Sequence, residues 1–423
     1  MLDIQFIRAH PDLVRAGAVK KRIPIDLDRL LDVDRQRRLL AREGDDLRAL
    51  SNAKSKAIPA LQGPDKQAAI EALRRVSDQI KELEARTREV DAEFLRLMYT
   101  IPNVPAAEVP DGEDEKDNVE IRRWGAPRAF AFKPKDHLEL GESLDIVDVP
   151  RGAKLAGARN YFLKGAAVLL EMAVLRLALD HLLGKGFVPL QVPLLVRDPA
   201  MIGTAYFPGG EEQAYRIEKD GLNLIGTAEV SVTAYHGDEI LGAEELPRRY
   251  VALSPCFRRE AGAAGKDTRG LYRVHQFYKV EQVVLCEADP ELSKREHLAI
   301  LRNSEEILEM LALPYRVVNV CGGDLGVPQI QKFDLETWMP SRDAFGETHS
   351  ASRFHDFQAR RLNLRYRTAT GAVRHCHTMN NTVIASPRIL VAILENYQNE
   401  DGSVTVPRVL RAYMGGMEAI RAR

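Results

Sequence analysis

Between residues 73 and 97, apolar positions recur at alternating spacings of three and four. Leu73, Val76, Ile80, Leu83, Thr87, Val90, Phe94 and Leu97 fall on one narrow stripe, which is the seam of a coiled coil. Upstream, Leu30, Val33, Leu40 and Leu47 keep the same spacing, with Arg37 and Gly44 interrupting it. Pro59, Gly63 and Pro64 separate the two stretches and predict a reversal. The second helix then folds back antiparallel on the first, and the two seams bury each other in a long arm over about residues 26–100.

The pattern changes after the arm. Ile101 to Asp117 is Pro-rich and then acidic, which reads as a linker with a boundary near residues 105–115 and divides the chain into domains 1–110 and 111–423. A helix is expected from about Phe162 through Leu183, with Leu169, Leu170, Ala173, Leu177 and Leu182 as its apolar stripe and Gly184-Lys185-Gly186 as its stop. Phe187 to Val196 alternates as a strand, but Pro189 and Pro193 confine it to an edge or an interface. Tyr250 to Phe257 and Leu271 to Leu285 read as two further strands, joined by a loop marked by Gly262, Gly265 and Gly270. His375 to Gln398 reads as strand then helix, with Ser386 as N-cap, Pro387 in the first turn, and Ile389, Leu390, Ile393 and Leu394 as the buried stripe.

Charge alters this picture little. Sixty Lys and Arg face 61 Asp and Glu, so a nucleic-acid partner has to be held by local patches. Within residues 29–97 the balance is 15 basic to 13 acidic; Arg35, Arg37, Arg38 and Arg42 cluster on the first helix, with Lys54 and Lys56 further out. The four cysteines, Cys256, Cys286, Cys321 and Cys376, have no CxxC spacing and are expected to be buried, reduced thiols, with no zinc site. With no cationic leader and no run of ~18 apolar residues, neither secretion nor a membrane span is expected, which leaves the cytoplasm.

The chemistry concentrates between Phe257 and Gln282. On an extended strand Arg273, His275, Phe277, Lys279 and Glu281 share one face, and Arg258 and Glu260 pair likewise on the incoming strand. A guanidinium grips phosphate, a ring stacks on a base, and carboxylates hold an amine, a hydroxyl or Mg2+. Alternating charges also suit a solvated hairpin, and on pattern alone the two readings are even. The order of residues decides between them. Phe257-Arg258-x-Glu260, a Gly-rich loop, then Arg273-x-x-x-Phe277-x-x-x-Glu281 resembles motif 2 of class II aminoacyl-tRNA synthetases, and Val274-His-Gln-Phe-x-Lys-Val-Glu-Gln282 resembles its seryl-tRNA synthetase form. Gly262 to Asp267 is no P-loop, because it lacks the Gly-Lys-Ser/Thr ending.

The similarity to bacterial-type seryl-tRNA synthetases runs from the opening LDIQFIR through an IPN-x-P linker to the closing Gly402-Ser-Val-x-Val-Pro-x-Val-Leu410. Motif 1 falls at about 165–196, motif 2 at 250–285 and motif 3 at 375–398, where Asn380 to Pro387 replaces the usual glycine-rich form. The resemblance implies an α+β fold, with the coiled-coil arm followed by an antiparallel sheet flanked by helices, and a homodimer built through motif 1. It implies two reactions: L-serine plus ATP to seryl-adenylate, then transfer to the terminal adenosine of tRNA(Ser), with tRNA(Sec) open as a second acceptor.

The same resemblance implies the site residues. Arg258 and Arg388 are the catalytic pair, on the α- and γ-phosphates. Thr227, Ala228, Glu229, Glu281, Thr382 and Asn380 contact serine. Arg259, Glu260, Val274, Phe277, Glu347, Thr348, His349 and Ser350 line the ATP site, with Mg2+ on Glu347 and Ser350. Standing three apart, Glu347 and Ser350 cannot share a straight strand's face, so a bulge or bend is needed or one contact goes through the backbone. Arg35, Arg37, Arg38, Arg42, Lys54 and Lys56 become candidates for holding tRNA. Two rivals stay open: a synthetase-like ligase that charges a carrier protein, and a catalytically dead tRNA-binding paralogue.

Overall fold

The computed structural model describes residues 1–262 and 270–422; Gly265 of the expected loop and the P-loop candidate beyond Gly262 lie outside them. The chain forms two compact units. One comprises Leu2–Val19 and Ile23–Pro102, the other Met1, Lys20–Arg22 and Asn103–Arg423.

The first unit contains helices α1 (Leu27–Ala57) and α2 (Gly63–Thr100). Asp26 caps α1, its carboxylate accepting from the Arg29 N–H at 3.0 Å. Leu30, Val33 and Leu40 of α1 and Val76, Leu83, Phe94 and Leu97 of α2 are buried in the shared seam. The two interruptions have physical partners. The Arg37 guanidinium lies 4.7 Å from the centre of the Phe94 ring and bonds Asp91 at 2.5 Å. Gly44 faces Leu83, where an added Cβ would find ordinary contact at 3.5 Å.

The second unit is built on eight strands. They are β1 (Val119–Trp124), β2 (Val188–Pro189), β3 (Arg248–Phe257), β4 (Gln276–Cys286), β5 (Tyr315–Asn319), β6 (Gln331–Met339), β7 (Ala344–His355) and β8 (His377–Ser386). Their order is β1-β5-β6-β7-β8-β4-β3-β2, antiparallel throughout except for β2 against β3. On β4, alternation sends Val280, Gln282 and Val284 to one face and Lys279, Glu281 and Val283 to the other. The first face joins the main core with α3 (Ala166–Gly184), α4 (Pro290–Met310) and α5 (Arg388–Asn396). On the second, Lys279 and Glu281 carry polar chemistry, while Val283 joins a separate core with Ala228, Val232 and Leu241.

Several local expectations change. The helix starts at Ala166, and Leu169 is 43% exposed beside Met172 at 62%, so the stripe covers the core only through Leu170, Ala173, Leu177 and Leu182. The segment 187–196 is broken between its prolines: β2 pairs with β3, whereas Leu195–Arg197 joins a separate sheet with Leu222–Leu224. β4 begins at Gln276, so Arg273 and His275 are not on it. Leu271 to His275 instead takes irregular bonds, Leu271 N–H to His137 Nε2 at 3.2 Å and His275 N–H to the Arg159 carbonyl at 3.2 Å. Ser386 is no N-cap: it ends β8, its hydroxyl donates to Glu171, and Pro387 precedes the helix. The stretch 101–117 is tied down at Asn103, whose Nδ2 donates to the carbonyls of Pro328 at 3.0 Å and Phe354 at 2.7 Å. The four cysteines are buried free thiols. Among the described residues no helix is long and apolar enough to cross a membrane.

Candidate active site

The polar face of the sheet encloses a cavity of about 230 Å3, walled by β4, β6, β7, β8 and the segments that enter and leave them. Glu281 and Lys279, two apart on β4, point into it together and pair at 2.5 Å. Glu281 stands opposite Thr382 of β8. The Thr382 hydroxyl donates to Glu281 at 3.2 Å and accepts from Lys279 Nζ at 3.3 Å. All three side chains are buried, so this carboxylate carries its own countercharge in place.

The neighbouring strands solve the spacing problem of Glu347 and Ser350. Asp334 pairs with Ser350 and Leu335 with His349, but Glu336 pairs with Glu347. Thr348 is the extra residue of a β-bulge, which brings Glu347 and Ser350 onto the same cavity wall. Beneath them, Lys332 Nζ lies 3.4 Å from Asp334. Burial raises the Asp334 carboxyl to about 6, with Lys332 opposing the rise.

The cationic side of the cavity is Arg258 and Arg388. Arg258 Nε donates to the Gly226 carbonyl at 3.1 Å, and its guanidinium sits 5.2 Å from the centre of the Phe277 ring. β3 ends before Glu260, which turns at a φ of 53° and is held by Arg273 at 2.7 Å. That conformation is seldom adopted by a non-glycine residue. The turn thus does what extension was expected to do, for Arg258 and Glu260 both face the cavity. Arg388 opens α5, donates to the backbone carbonyls of Tyr272 and Glu347 at 3.1 Å each, and pairs with the Glu347 carboxylate at 3.3 Å. Desolvation at the cavity wall pushes the half-exposed Glu347 carboxyl up, but Arg388, Lys332 and Arg258 outweigh it and hold the group below its ordinary value.

Glu229 is the second buried carboxylate. The segment 227–229 turns into a short helix, Glu229–Thr233, with Thr227 Oγ1 accepting from the Glu229 N–H at 3.2 Å. Its carboxylate accepts from Tyr206 Oη and from Gln358 Nε2, each at 2.8 Å. Burial first and Glu281 second raise its pKa.

A family model described as the seryl-tRNA synthetase N-terminal domain matches residues 1–105. A second, the class II tRNA synthetase core domain (G, H, P, S and T), matches residues 215–397. The serine–tRNA ligase of Deinococcus radiodurans is 46% identical over 420 residues, which is 99% of either chain. The chain belongs to the seryl-tRNA synthetases. These are class II aminoacyl-tRNA synthetases, enzymes that ligate serine to tRNA, and their fold is an α+β core with a helical arm. The crystal structure of seryl-tRNA synthetase from Pyrococcus horikoshii, complexed with ATP, superposes with a TM-score of 0.92 at 40% identity, covering 100% of both chains. The Naegleria fowleri cytoplasmic enzyme in complex with AMP gives 0.87 at 30% identity, covering 100% of this chain and 99% of its own. Neither the carrier-protein reading nor the dead paralogue draws support from these likenesses.

In this seryl-tRNA synthetase the cavity collects Arg258, Glu260, Val274, Phe277, Glu281, Glu347, Thr348, His349, Ser350, Asn380, Thr382, Arg388 and Glu229. It does not collect Arg259, which is exposed, nor Thr227 and Ala228, which are buried beside Glu229. Thr348 and His349 bond each other, Oγ1 to Nδ1 at 2.7 Å, and burial lowers the His349 ring to about 4, a neutral spacer at neutral pH. Motif reading gave no role to Lys279, which it contained, and missed Tyr206, Lys332 and Gln358. Lys279 alone had a signal, its place on the Glu281 face; the others arrive through contacts distant in sequence.

Proposed function

We propose that this cavity forms seryl-adenylate from L-serine and ATP before the seryl group passes to tRNA(Ser). The observation that carries this reading is the unequal pairing of its two buried carboxylates. Among the described residues Glu281 pairs directly with Lys279, whereas Glu229 makes no ion pair, is held by the neutral donors Tyr206 and Gln358, and feels Lys279 only from further off. A buried carboxylate without a charge partner calls for a cationic ligand, and the ammonium of serine supplies it. Glu281 and Thr382, with Asn380 beside them, then read the serine hydroxyl. A site built to bond a hydroxyl rejects the analogue lacking it by about 10⁴-fold.

Phe277 stacks on adenine, with Glu260 and the Val274 backbone at its edge. Arg258 bridges the α-phosphate and the serine carboxylate, and Arg388 takes the γ-phosphate. The serine carboxylate is already a nucleophile, so catalysis consists of in-line positioning and of neutralising the charge that builds on phosphorus. Among the described residues no cluster of three metal-ligating side chains occurs. A carboxylate and a hydroxyl on one wall nevertheless suit Mg2+, which takes hard oxygens and draws the rest of its shell from water and phosphate. Glu347 and Ser350 would hold that ion, which neutralises phosphate charge when bound.

ATP–pyrophosphate exchange with each of the twenty amino acids, without tRNA, tests the reading. Exchange with serine alone supports it; exchange with another amino acid removes the roles given to Glu229, Glu281 and Thr382.

The homodimer belongs to the same proposal. Leu169 and Met172 of α3 and Val188 and Leu253 at the sheet edge are large apolar side chains left exposed, and a partner surface would cover them. Placing a charge there, Met172→Glu, is expected to weaken self-association by about tenfold or more. Sedimentation at micromolar concentration then shows monomer for the variant and dimer for the parent, and a variant as dimeric as the parent locates the interface elsewhere.

A further inference from the structure

Behind Glu229 lies a chain of buried polar side chains to which the reaction gives no part. Gln358 is 1% exposed and Thr378 wholly buried. The Thr378 hydroxyl donates to Gln358 Oε1 at 2.7 Å, and Gln358 Nε2 donates to the Thr204 carbonyl at 3.2 Å and to Glu229 Oε1 at 2.8 Å. The amide has one orientation, because a flip would set its oxygen against a carbonyl and a carboxylate and its nitrogen against a hydroxyl that donates to it. The other carboxylate oxygen is taken by Tyr206. Glu229 therefore has both oxygens tethered, by donors from separate parts of the chain.

We infer that Gln358, locked by Thr378, is a positioning residue that sets the Glu229 carboxylate to receive the α-ammonium of the amino acid. The inference rests on the seryl-adenylate reading of the cavity and adds to it residues that touch no substrate. Thr378 is the second residue of β8, the strand that also carries Asn380 and Thr382. One hydrogen-bond path thus joins the strand that reads the hydroxyl to the helix that reads the ammonium, and the two recognition elements hold a common register. A buried amide costs free energy unless its bonds are made, and here every polar atom of the Gln358 side chain is bonded toward this one carboxylate or toward the groups that orient the amide.

The test uses two non-hydrolysable analogues of seryl-adenylate, the seryl sulfamoyl adenosine and its counterpart lacking the amine, titrated calorimetrically against the full-length protein. The parent is expected to prefer the amine-bearing analogue. Gln358→Leu should weaken that analogue by about 10- to 100-fold, the scale for leaving one buried partner unpaired, and leave the amine-free one within about twofold of the parent. Thr378→Val should follow Gln358→Leu in direction, and Thr378→Ser should restore parental binding; exchange kinetics should show the loss in KM for serine and not in KM for ATP. Equal weakening of both analogues in either variant overturns the positioning role. A parent indifferent to the amine overturns instead the assignment of Glu229 to the ammonium. Should Gln358→Leu fail to fold, the Thr378 pair decides alone, with parental selectivity in Thr378→Val counting against the proposal.

Discussion

Arg258→Ala is expected to slow serine-dependent ATP–pyrophosphate exchange by about 10²-fold or more, the scale for removing one preorganised charged group. The side chain is preset: Nε bonds the Gly226 carbonyl and the guanidinium lies over the Phe277 ring, and among the described residues its outer nitrogens make no hydrogen bond. Two anionic groups must approach each other for the adenylate to form, and a planar, permanently charged fork can touch both. Arg258→Lys keeps the charge without the fork, and is expected to recover only a small part of the rate. Because Arg258 is half-buried and, among the described residues, its side chain makes one hydrogen bond to the protein, thermal unfolding should move little. Near-parental exchange by the alanine variant would remove Arg258 from the chemistry, and an equal loss in stability would make the effect structural.

The parts legible in the sequence were those whose signal is local. The α2 seam follows from a period that any helix must obey, and Val76, Leu83, Phe94 and Leu97 are buried as that period requires. The bulge at Thr348 followed from spacing: residues three apart cannot share a strand face, so bringing Glu347 and Ser350 together needs one extra residue. What was misread depended on partners far along the chain. Leu271 to His275 alternates as a strand does, yet its backbone bonds go to His137 and Arg159, which no local pattern announces. Ser386-Pro387-Arg388 has the composition of a helix start, but Ser386 is taken by Glu171. Tyr206 and Gln358 reach Glu229 from 23 and 129 residues away. Motif order brought in the residues on β4 and β8; it could not bring in the shell that orients them.

Shortening the arm is expected to separate the two reactions. Removing residues 40–87 and joining α1 to α2 by a short glycine linker keeps Leu30, Val33, Phe94 and Leu97 at the base of the seam. Adenylate formation should stay within about twofold, while kcat/KM for charging tRNA(Ser) should fall by about 10²–10⁴, the avidity that a second linked binding module contributes. The cations in the arm are not equivalent. Arg35 pairs with Asp32, Arg38 with Asp34 at 3.1 Å, and Arg37 with Asp91 at 2.5 Å. The exposed Arg35–Asp32 pair is of a kind worth about 0–1 kcal/mol, so Arg35 can exchange it for phosphate at little cost, whereas Arg38 covers the buried carboxylate of Asp34 and is held more firmly. Arg37 also covers Phe94, and its removal should loosen the coiled coil before it weakens tRNA binding. Among the described residues Arg42, Lys54 and Lys56 make no ion pair. Every phosphate that a cation no longer neutralises reduces the magnitude of the slope of log affinity against log salt by about 0.7–0.9, so replacing these three with glutamine should reduce it by about 2–3. An unchanged slope would place the tRNA on other residues of the arm, and a shortened protein that lost both reactions equally would show that the arm serves the catalytic unit itself.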